Sequence, residues 1–226
     1  MTNELLWIIF ALTNFILFIA CYKLFGKTGV FVWIAMGTIL ANIQVMKTVT
    51  LFGIEATLGN IMYGTIFLAT DALSEKYGKK SAQKAVYLGF FTLAVSIVIM
   101  QLALMFNPNQ YDTAQPHLDA IFGFYLRVAG ASLVAYLISQ TLDVYIFHKI
   151  KDKLPDTKWL WVRNNVATII SQIFDTAIFV SIAFIGVMDS DIIWQIFIST
   201  FIIKMMVALL DTPFVYLVKK ITPLND

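Results

Sequence analysis

Cysteine and charged residues are scarce in this chain. Its 226 residues include a single cysteine, Cys21, and only 13% of them are charged. A lone cysteine within an apolar run excludes an internal disulfide and a cysteine-based metal site. Both histidines, His117 and His148, are predicted to lie in loops, and the motifs of serine hydrolases, zinc proteases and phosphate-binding loops are missing. The sequence therefore predicts no enzyme, no cofactor and no metal centre.

Apolar residues dominate instead: 59% of the chain is hydrophobic, and the mean hydropathy is +0.79. This composition predicts an all-α polytopic membrane protein. With about 20 residues for each span, the apolar segments cover residues 5–25, 30–51, 56–74, 85–106, 120–147, 161–187 and 192–218. We expect one domain over residues 1–226, a six-helix core plus one N-terminal helix. A weakly hydrophobic junction around Gly53 leaves six spans as an alternative to seven.

Basic residues crowd alternate connections between these spans. The basic side chains of these connections are Lys76, Lys79, Lys80 and Lys84, then His148, Lys149, Lys151, Lys153 and Lys158, and finally Lys219 and Lys220. The other connections contain acidic residues and no lysine or arginine. The positive-inside rule therefore predicts a cytoplasmic C-terminus. Short loops of this kind favour a lipid surface, so no nucleic-acid partner is expected.

Charged and amide side chains form a minority inside the spans. Ionisable groups are expensive in lipid, so they usually face a protein interior, a water path or a ligand. The candidates for substrate binding are Asn42, Arg127, Gln140, Asp143, Gln172, Asp175 and Lys204. The candidates for an inner gate are Asp71, Glu75, Arg163, Asn164 and Asp211. Helix packing is the alternative role for the glutamines, and snorkelling to the interface is the alternative for Glu75 and Arg163.

Two consecutive spans carry the same polar stripe. Ser139, Gln140 and Asp143 on one helix match Ser171, Gln172 and Asp175 on the next, which is either a coincidence or a trace of duplication. An amide and a carboxylate three residues apart share a helix face, and together they suit a heterocycle with a guanine-like edge. Counting along the helices also places Asp175 and Lys204 near the midplane. We expect a buried ion pair there that is structural or opens for substrate or a proton.

Several spaced motifs resemble the queuosine precursor transporter family, also called the putative vitamin uptake transporter family. The longest is the run from Thr70 to Lys80 followed by Ala82. The others are Arg127 with Ser132 and Ala135-Tyr136, Ser139-Gln140 with Asp143-Val144, the run from Trp161 to Asn165, Ser171-Gln172 with Asp175-Thr176, Lys204 with Thr212-Pro213, and the pair Asn42 and Lys47. One departure is Gly64, where many members of the family carry proline.

The resemblance implies a transporter for a 7-deazaguanine such as preQ0, preQ1 or queuine, used for queuosine in tRNA. It also implies similarity to the substrate-binding subunits of energy-coupling-factor transporters. A homodimer and separate coupling subunits are open possibilities at this point. The alternatives from another class are a carrier for a different small solute and an ion or proton channel.

Overall fold

The computed structural model describes residues 2–123, 126–186 and 189–224, and their side chains except at residues 48, 54–57, 126–129 and 192. The described part is mainly helical. Its elements are α1 (Asn3–Val45), β1 (Thr48–Leu51), β2 (Ile54–Thr57), α2 (Gly59–Tyr77), α3 (Lys79–Leu104), α4 (Gln115–Leu118), α5 (Leu126–Lys153), α6 (Leu160–Phe184) and α7 (Ser190–Lys220). The predicted all-α membrane bundle is therefore confirmed, with one small sheet added.

The first two predicted spans form the two arms of a helical hairpin within α1. The chain turns at Gly26, whose φ of 54° and ψ of −140° are non-helical, a conformation that glycine adopts without strain. The arms then pack side by side. The Sγ atom of Cys21 lies 3.4 Å from the carbonyl oxygen of Gly29, and the ring centroids of Phe18 and Trp33 are 5.7 Å apart.

A β-hairpin replaces the predicted end of the second span. We expected helix up to residue 51, but α1 ends at Val45, and β1 and β2 pair in antiparallel register. The run from Thr48 to Thr57 contains β-branched residues around a two-residue turn, Phe52-Gly53, in which both residues have positive φ. That turn geometry matches the twist of paired strands. The prediction of helix over residues 46–51 was therefore wrong.

Several connections predicted as basic loops are helical. α3 begins at Lys79 directly after α2, and α5 continues to Lys153, so Lys151 and its neighbours occupy the last turns of a helix. At its other end, Asp119–Gly123 form a π-helical turn, and α5 is described from Leu126 onwards. Basic side chains in the last turns of a helix interact favourably with its dipole, which explains why Lys151 and Lys153 are part of α5.

The centre of the bundle is α2, which packs against α1, α3, α5 and α7. Fourteen of its 19 residues are buried. Five other helices, α1, α3, α5, α6 and α7, are long and apolar enough to cross a membrane, so the chain is a multi-pass membrane protein. Because α2 is surrounded by these helices, its polar residues are buried in protein and shielded from lipid.

Candidate functional site

The repeated stripe forms reciprocal contacts between α5 and α6. The hydroxyl of Ser139 donates to Oδ1 of Asp175 at 2.9 Å, and the hydroxyl of Ser171 donates to Oδ1 of Asp143 at the same distance. Each serine therefore binds the aspartate of the other motif. Because the two helices are antiparallel, the two pairs lie at different levels of the bundle. Asp175 lies towards the β-hairpin, and Asp143 lies towards the opposite end.

The level near the β-hairpin contains the ion pair that the sequence predicted. The Nζ atom of Lys204 on α7 contacts Oδ2 of Asp175, with both side chains mostly buried. Lys204 also lies 3.5 Å from the hydroxyl of Thr176. The described residues therefore provide a neutralised pair of charges, which is the arrangement that a buried carboxylate and ammonium require.

A cavity of about 60 Å³ adjoins this pair, and we call it the hairpin-side cavity. Its lining residues are Val45, Asn60, Tyr63, Ser132, Ala135, Tyr136, Asp175, Phe179, Thr200 and Lys204. Asn42 does not line this cavity, but its Nδ2 donates to the hydroxyl of Tyr63 at 3.0 Å. Three aromatic rings and one ion pair therefore face the same space, which suits a planar polar ligand.

The second level contains a smaller cavity and three buried carboxyl groups. This cavity, of about 10 Å³, is lined by Asn60, Tyr63, Gly64, Phe67, Thr168, Gln172, Lys204, Ala208 and Asp211, and we call it the Asp211 cavity. Asp71, Asp143 and Asp211 have no exposed surface. The Oδ1 atom of Asp211 accepts a hydrogen bond from Nδ2 of Asn164 at 2.9 Å. Gln140 accepts a hydrogen bond from Thr70 at 3.2 Å, so it lies beside the carboxyl groups and not in the hairpin-side cavity.

Glu75 closes the end of the bundle opposite the β-hairpin. Its carboxylate contacts Arg163 and Lys151 at 3.0 Å each and Lys219 at 2.5 Å, and we call these four residues the Glu75 cluster. The cluster joins the ends of α2, α5, α6 and α7. Burial raises the pKa of Glu75, but the hydrogen bonds from Lys219 and Lys151 and the nearby charges outweigh it, so the net pKa lies below its usual value.

Arg163 is fully buried, in contrast to the snorkelling alternative. Its Nη1 donates to the carbonyl oxygens of Leu154, Pro155 and Asp156 at 2.6–3.1 Å. The side chain of Glu75 is only 6% exposed. The guanidinium therefore ties the loop between α5 and α6 to the end of α2, and it does not reach to the interface.

The sequence-predicted substrate residues thus fall into separate groups. Asp175 and Lys204 face the hairpin-side cavity, and Gln172 lines the Asp211 cavity. Asn42 contacts the first cavity through Tyr63, while Gln140 and Asp143 are buried beside Asp71. The side chain of Arg127 lies outside the described residues. The described residues include no group of three or more histidine, cysteine or acidic side chains suited to a metal ion.

Sequence reasoning missed Asn60, Tyr63 and Thr168 as cavity residues. Asn60 and Tyr63 are three residues apart on α2 and share a face, so the argument used for the glutamine and aspartate stripes applies to them as well. Thr168 lies one turn before Gln172 on the same face of α6. Its hydroxyl gave no signal because threonine is common in packed membrane helices.

A family model described as "Putative vitamin uptake transporter" matches residues 57–218. The chain belongs to this family. A relative from Bacillus subtilis (strain 168), named "Probable queuosine precursor transporter", is 51% identical over 226 residues, covering 100% of this chain and 98% of the relative. The resemblance stated from the motifs is therefore confirmed, and the chain is a member of a transporter family.

Two further relatives match this chain in part. "Queuosine precursor transporter" from Escherichia coli (strain K12) is 30% identical over 145 residues, covering 64% of this chain and 62% of the relative. "Probable queuosine precursor transporter" from Haemophilus influenzae (strain ATCC 51907 / DSM 11121 / KW20 / Rd) is 32% identical over 136 residues, covering 59% of this chain and 54% of the relative. No solved structure matches the chain, so the similarity to energy-coupling-factor subunits stays a prediction.

The departure at Gly64 has a packing role in this family member. A β-carbon built on Gly64 would lie 2.1 Å from Cγ1 of Val207 on α7. Real β-carbons do not approach other atoms so closely, and valine in a helix has little freedom to move its methyl groups. A residue without a side chain at position 64 therefore allows α2 and α7 to pack closely beside the Asp211 cavity.

Proposed function

We propose that this chain imports a queuosine precursor, a 7-deazaguanine such as preQ0, preQ1 or queuine. The observation that carries the proposal is the Asp175–Lys204 ion pair facing a cavity with three aromatic rings. The printed names of the relatives from B. subtilis, E. coli and H. influenzae support the same substrate class. The finer choice among the three precursors is left to the experiment below.

The chemistry of the ion pair fits a guanine-like edge. Such an edge presents two adjacent N–H donors and a neighbouring carbonyl oxygen. A carboxylate accepts from two adjacent donors, and an ammonium donates to a carbonyl oxygen. In the proposal, Asp175 accepts from the ring and Lys204 donates to its carbonyl group. Ser139 holds the carboxylate of Asp175 in place, and the rings of Tyr63 and Tyr136 stack against the substrate.

The substrate needs more room than the closed arrangement provides. The hairpin-side cavity measures about 60 Å³, whereas pockets that hold drug-sized ligands measure about 300–1,000 Å³. We therefore propose that the helices around this cavity separate when substrate enters. The Glu75 cluster, which joins four helix ends, acts as the inner gate and releases the substrate when it opens.

The predicted location and partners belong to the same proposal. The basic residues of the Glu75 cluster lie at one end of the bundle, which supports placing this end and the C-terminus in the cytoplasm. We propose a bacterial or archaeal cytoplasmic membrane. The sequence left a homodimer and separate coupling subunits as open possibilities.

Uptake of labelled queuine, preQ0 and preQ1 tests the proposal. The host cells lack their own carrier and express wild type, Asp175→Asn or a control, Asp191→Asn. Asp191 is exposed in the first turn of α7, so the substitution removes a carboxylate that does not line the cavity. Loss of a charged hydrogen bond corresponds to about 1.5–3 kcal/mol, so we expect Asp175→Asn to weaken the apparent affinity roughly 10- to 100-fold.

The outcomes test the substrate class and the role of Asp175 separately. Saturable uptake by wild type and Asp191→Asn, with weakened uptake by Asp175→Asn, supports the substrate class and the site. Normal uptake by Asp175→Asn at low substrate concentration contradicts the role of Asp175. No chain-dependent uptake of any of the three compounds contradicts the proposed substrate class.

A further inference from the structure

The three carboxyl groups beside the Asp211 cavity have no basic partner among the described residues. Asp71, Asp143 and Asp211 come from α2, α5 and α7, and all three are fully buried. By contrast, Glu75 one turn further along α2 binds three cations. A buried carboxylate is normally paired or binds a metal ion. The proposed binding of substrate at the neutral Asp175–Lys204 pair does not use these three carboxyl groups.

Oxygen atoms without a hydrogen-bond partner surround the Asp211 cavity. In the described part of the chain they include Oδ2 of Asp211, Oδ1 of Asn164, Oγ1 of Thr168 and Oε1 of Gln172. Each of these residues is at least nine-tenths buried. Asp211, Thr168 and Gln172 also line the cavity. Unpartnered buried polar groups are rare in folded proteins and require an explanation such as a bound ion or water.

The number and kind of these oxygens suit a metal cation. A hard cation accepts several oxygen ligands together. The set of one carboxylate and three neutral oxygens carries a single negative charge, which balances one positive charge.

The size of the cavity also limits the ligand. Its volume of about 10 Å³ is room for one water-sized particle. Magnesium retains several bound waters in most protein sites, and the cavity has no space for them. A single dehydrated monovalent ion fits both the volume and the charge of the oxygen set.

We propose that Asp211, Asn164, Thr168 and Gln172 bind one sodium ion. The Asp211 cavity shares Asn60, Tyr63 and Lys204 with the hairpin-side cavity. A sodium ion therefore lies next to the ammonium of Lys204, and its charge acts on the ion pair that faces the substrate. The ion is carried with the substrate, and this part of the inference rests on the proposed function.

Sodium binding is measured first, without substrate. Thermal unfolding of the purified full chain is followed in sodium, potassium and choline chloride at the same ionic strength and pH. A ligand that binds the folded state raises the melting temperature in a saturable way. The test variant is Thr168→Val, which removes one hydroxyl at constant shape. The control is Thr38→Val, at a fully buried threonine of α1 whose hydroxyl already donates to the carbonyl of Ala35.

We expect sodium alone to raise the melting temperature of wild type and of Thr38→Val. Thr168→Val needs at least about tenfold more sodium for the same rise, which corresponds to loss of one ion ligand. Equal effects of the three salts on wild type overturn the sodium site. Equal sodium dependence of Thr168→Val and wild type overturns the assigned ligands. The comparison uses each variant's own response to salt, so a general loss of stability does not imitate the result.

Uptake into proteoliposomes then tests coupling. An inward sodium gradient at constant pH should accelerate uptake of labelled precursor relative to choline. Equal uptake in sodium and choline overturns co-transport while leaving the proposed substrate intact. No uptake of any precursor in either salt, together with sodium-specific stabilisation, contradicts the proposed function and leaves the ion site standing.

Discussion

Replacing Glu75 by glutamine should destabilise the bundle strongly, because it removes the charge that neutralises Arg163. The guanidinium of Arg163 is fully buried and lies 3.0 Å from Oε2 of Glu75. Removing one partner of a buried ion pair costs about 3–5 kcal/mol. For a chain of this size, about 1 kcal/mol corresponds to about 2–4 °C in melting temperature. We therefore expect Glu75→Gln to lower the melting temperature by roughly 6–20 °C.

The other two cations of the Glu75 cluster provide matched controls. Lys151 and Lys219 also contact the carboxylate, but their side chains are 26% and 30% exposed. Ion pairs with partly solvated lysines contribute at most about 1 kcal/mol, so Lys151→Gln and Lys219→Gln should shift the melting temperature by no more than about 4 °C each. Burial, not the number of contacts, determines the difference.

A thiol-reactive dye measures these shifts in melting temperature without an introduced cysteine. Cys21 is the single cysteine, and it is partly buried between the two arms of α1, so dye reaction follows unfolding. A double variant, Glu75→Gln with Arg163→Gln, should lose less stability than the sum of the single changes. A melting temperature for Glu75→Gln equal to that of Lys151→Gln, or strict additivity in the double variant, refutes the charge argument.

Two further predictions concern packing and pH. Gly64→Ala should destabilise the fold by about 1–3 kcal/mol because its β-carbon overlaps Val207, and Val207→Ala in the same chain should restore most of the loss; thermal unfolding of all three variants checks this, and no recovery in the double variant contradicts it. The folded-state pKa of Glu75 lies below 4.5, so its stabilisation is complete above that pH and is lost as pH falls through the folded pKa. The melting temperature of wild type should therefore approach that of Glu75→Gln as the pH falls below about 4.5, and a constant difference between them contradicts the assignment.

The length and hydropathy of the apolar segments predicted the helices of this fold well, whereas the charge pattern predicted fewer of its details. The seven apolar segments all correspond to helices or to arms of the α1 hairpin. A long apolar segment favours a membrane helix through its own length and composition, so the prediction depends little on the rest of the chain. The β-hairpin was missed because span ends were placed by hydropathy, which does not distinguish a short strand over residues 48–51 from the last turns of a helix. Lysines near span ends were placed in loops since the positive-inside rule identifies a side of the membrane and not a helix end.

Depth along the helices predicted the Asp175–Lys204 pair, but it did not identify the partners of the other polar residues. The partners of Asp143 and Asp175 depend on the antiparallel packing of α5 and α6, which brings each serine opposite the other motif's aspartate. The burial of Arg163 depends on three carbonyl groups in the loop before α6. Neither arrangement is encoded in the spacing of a single helix.

The central position of α2 has a consequence for how the chain enters the membrane. This helix carries Asn60, Thr70 and Asp71, and the helices that bury it both precede and follow it in the sequence. α1 is synthesised before it, but α5 and α7 emerge from the ribosome only later. Because lipid gives these polar groups no partners, α2 has to remain next to the insertion machinery or in the interface until the last helix is made. Assembly of the bundle is therefore coupled to completion of the chain.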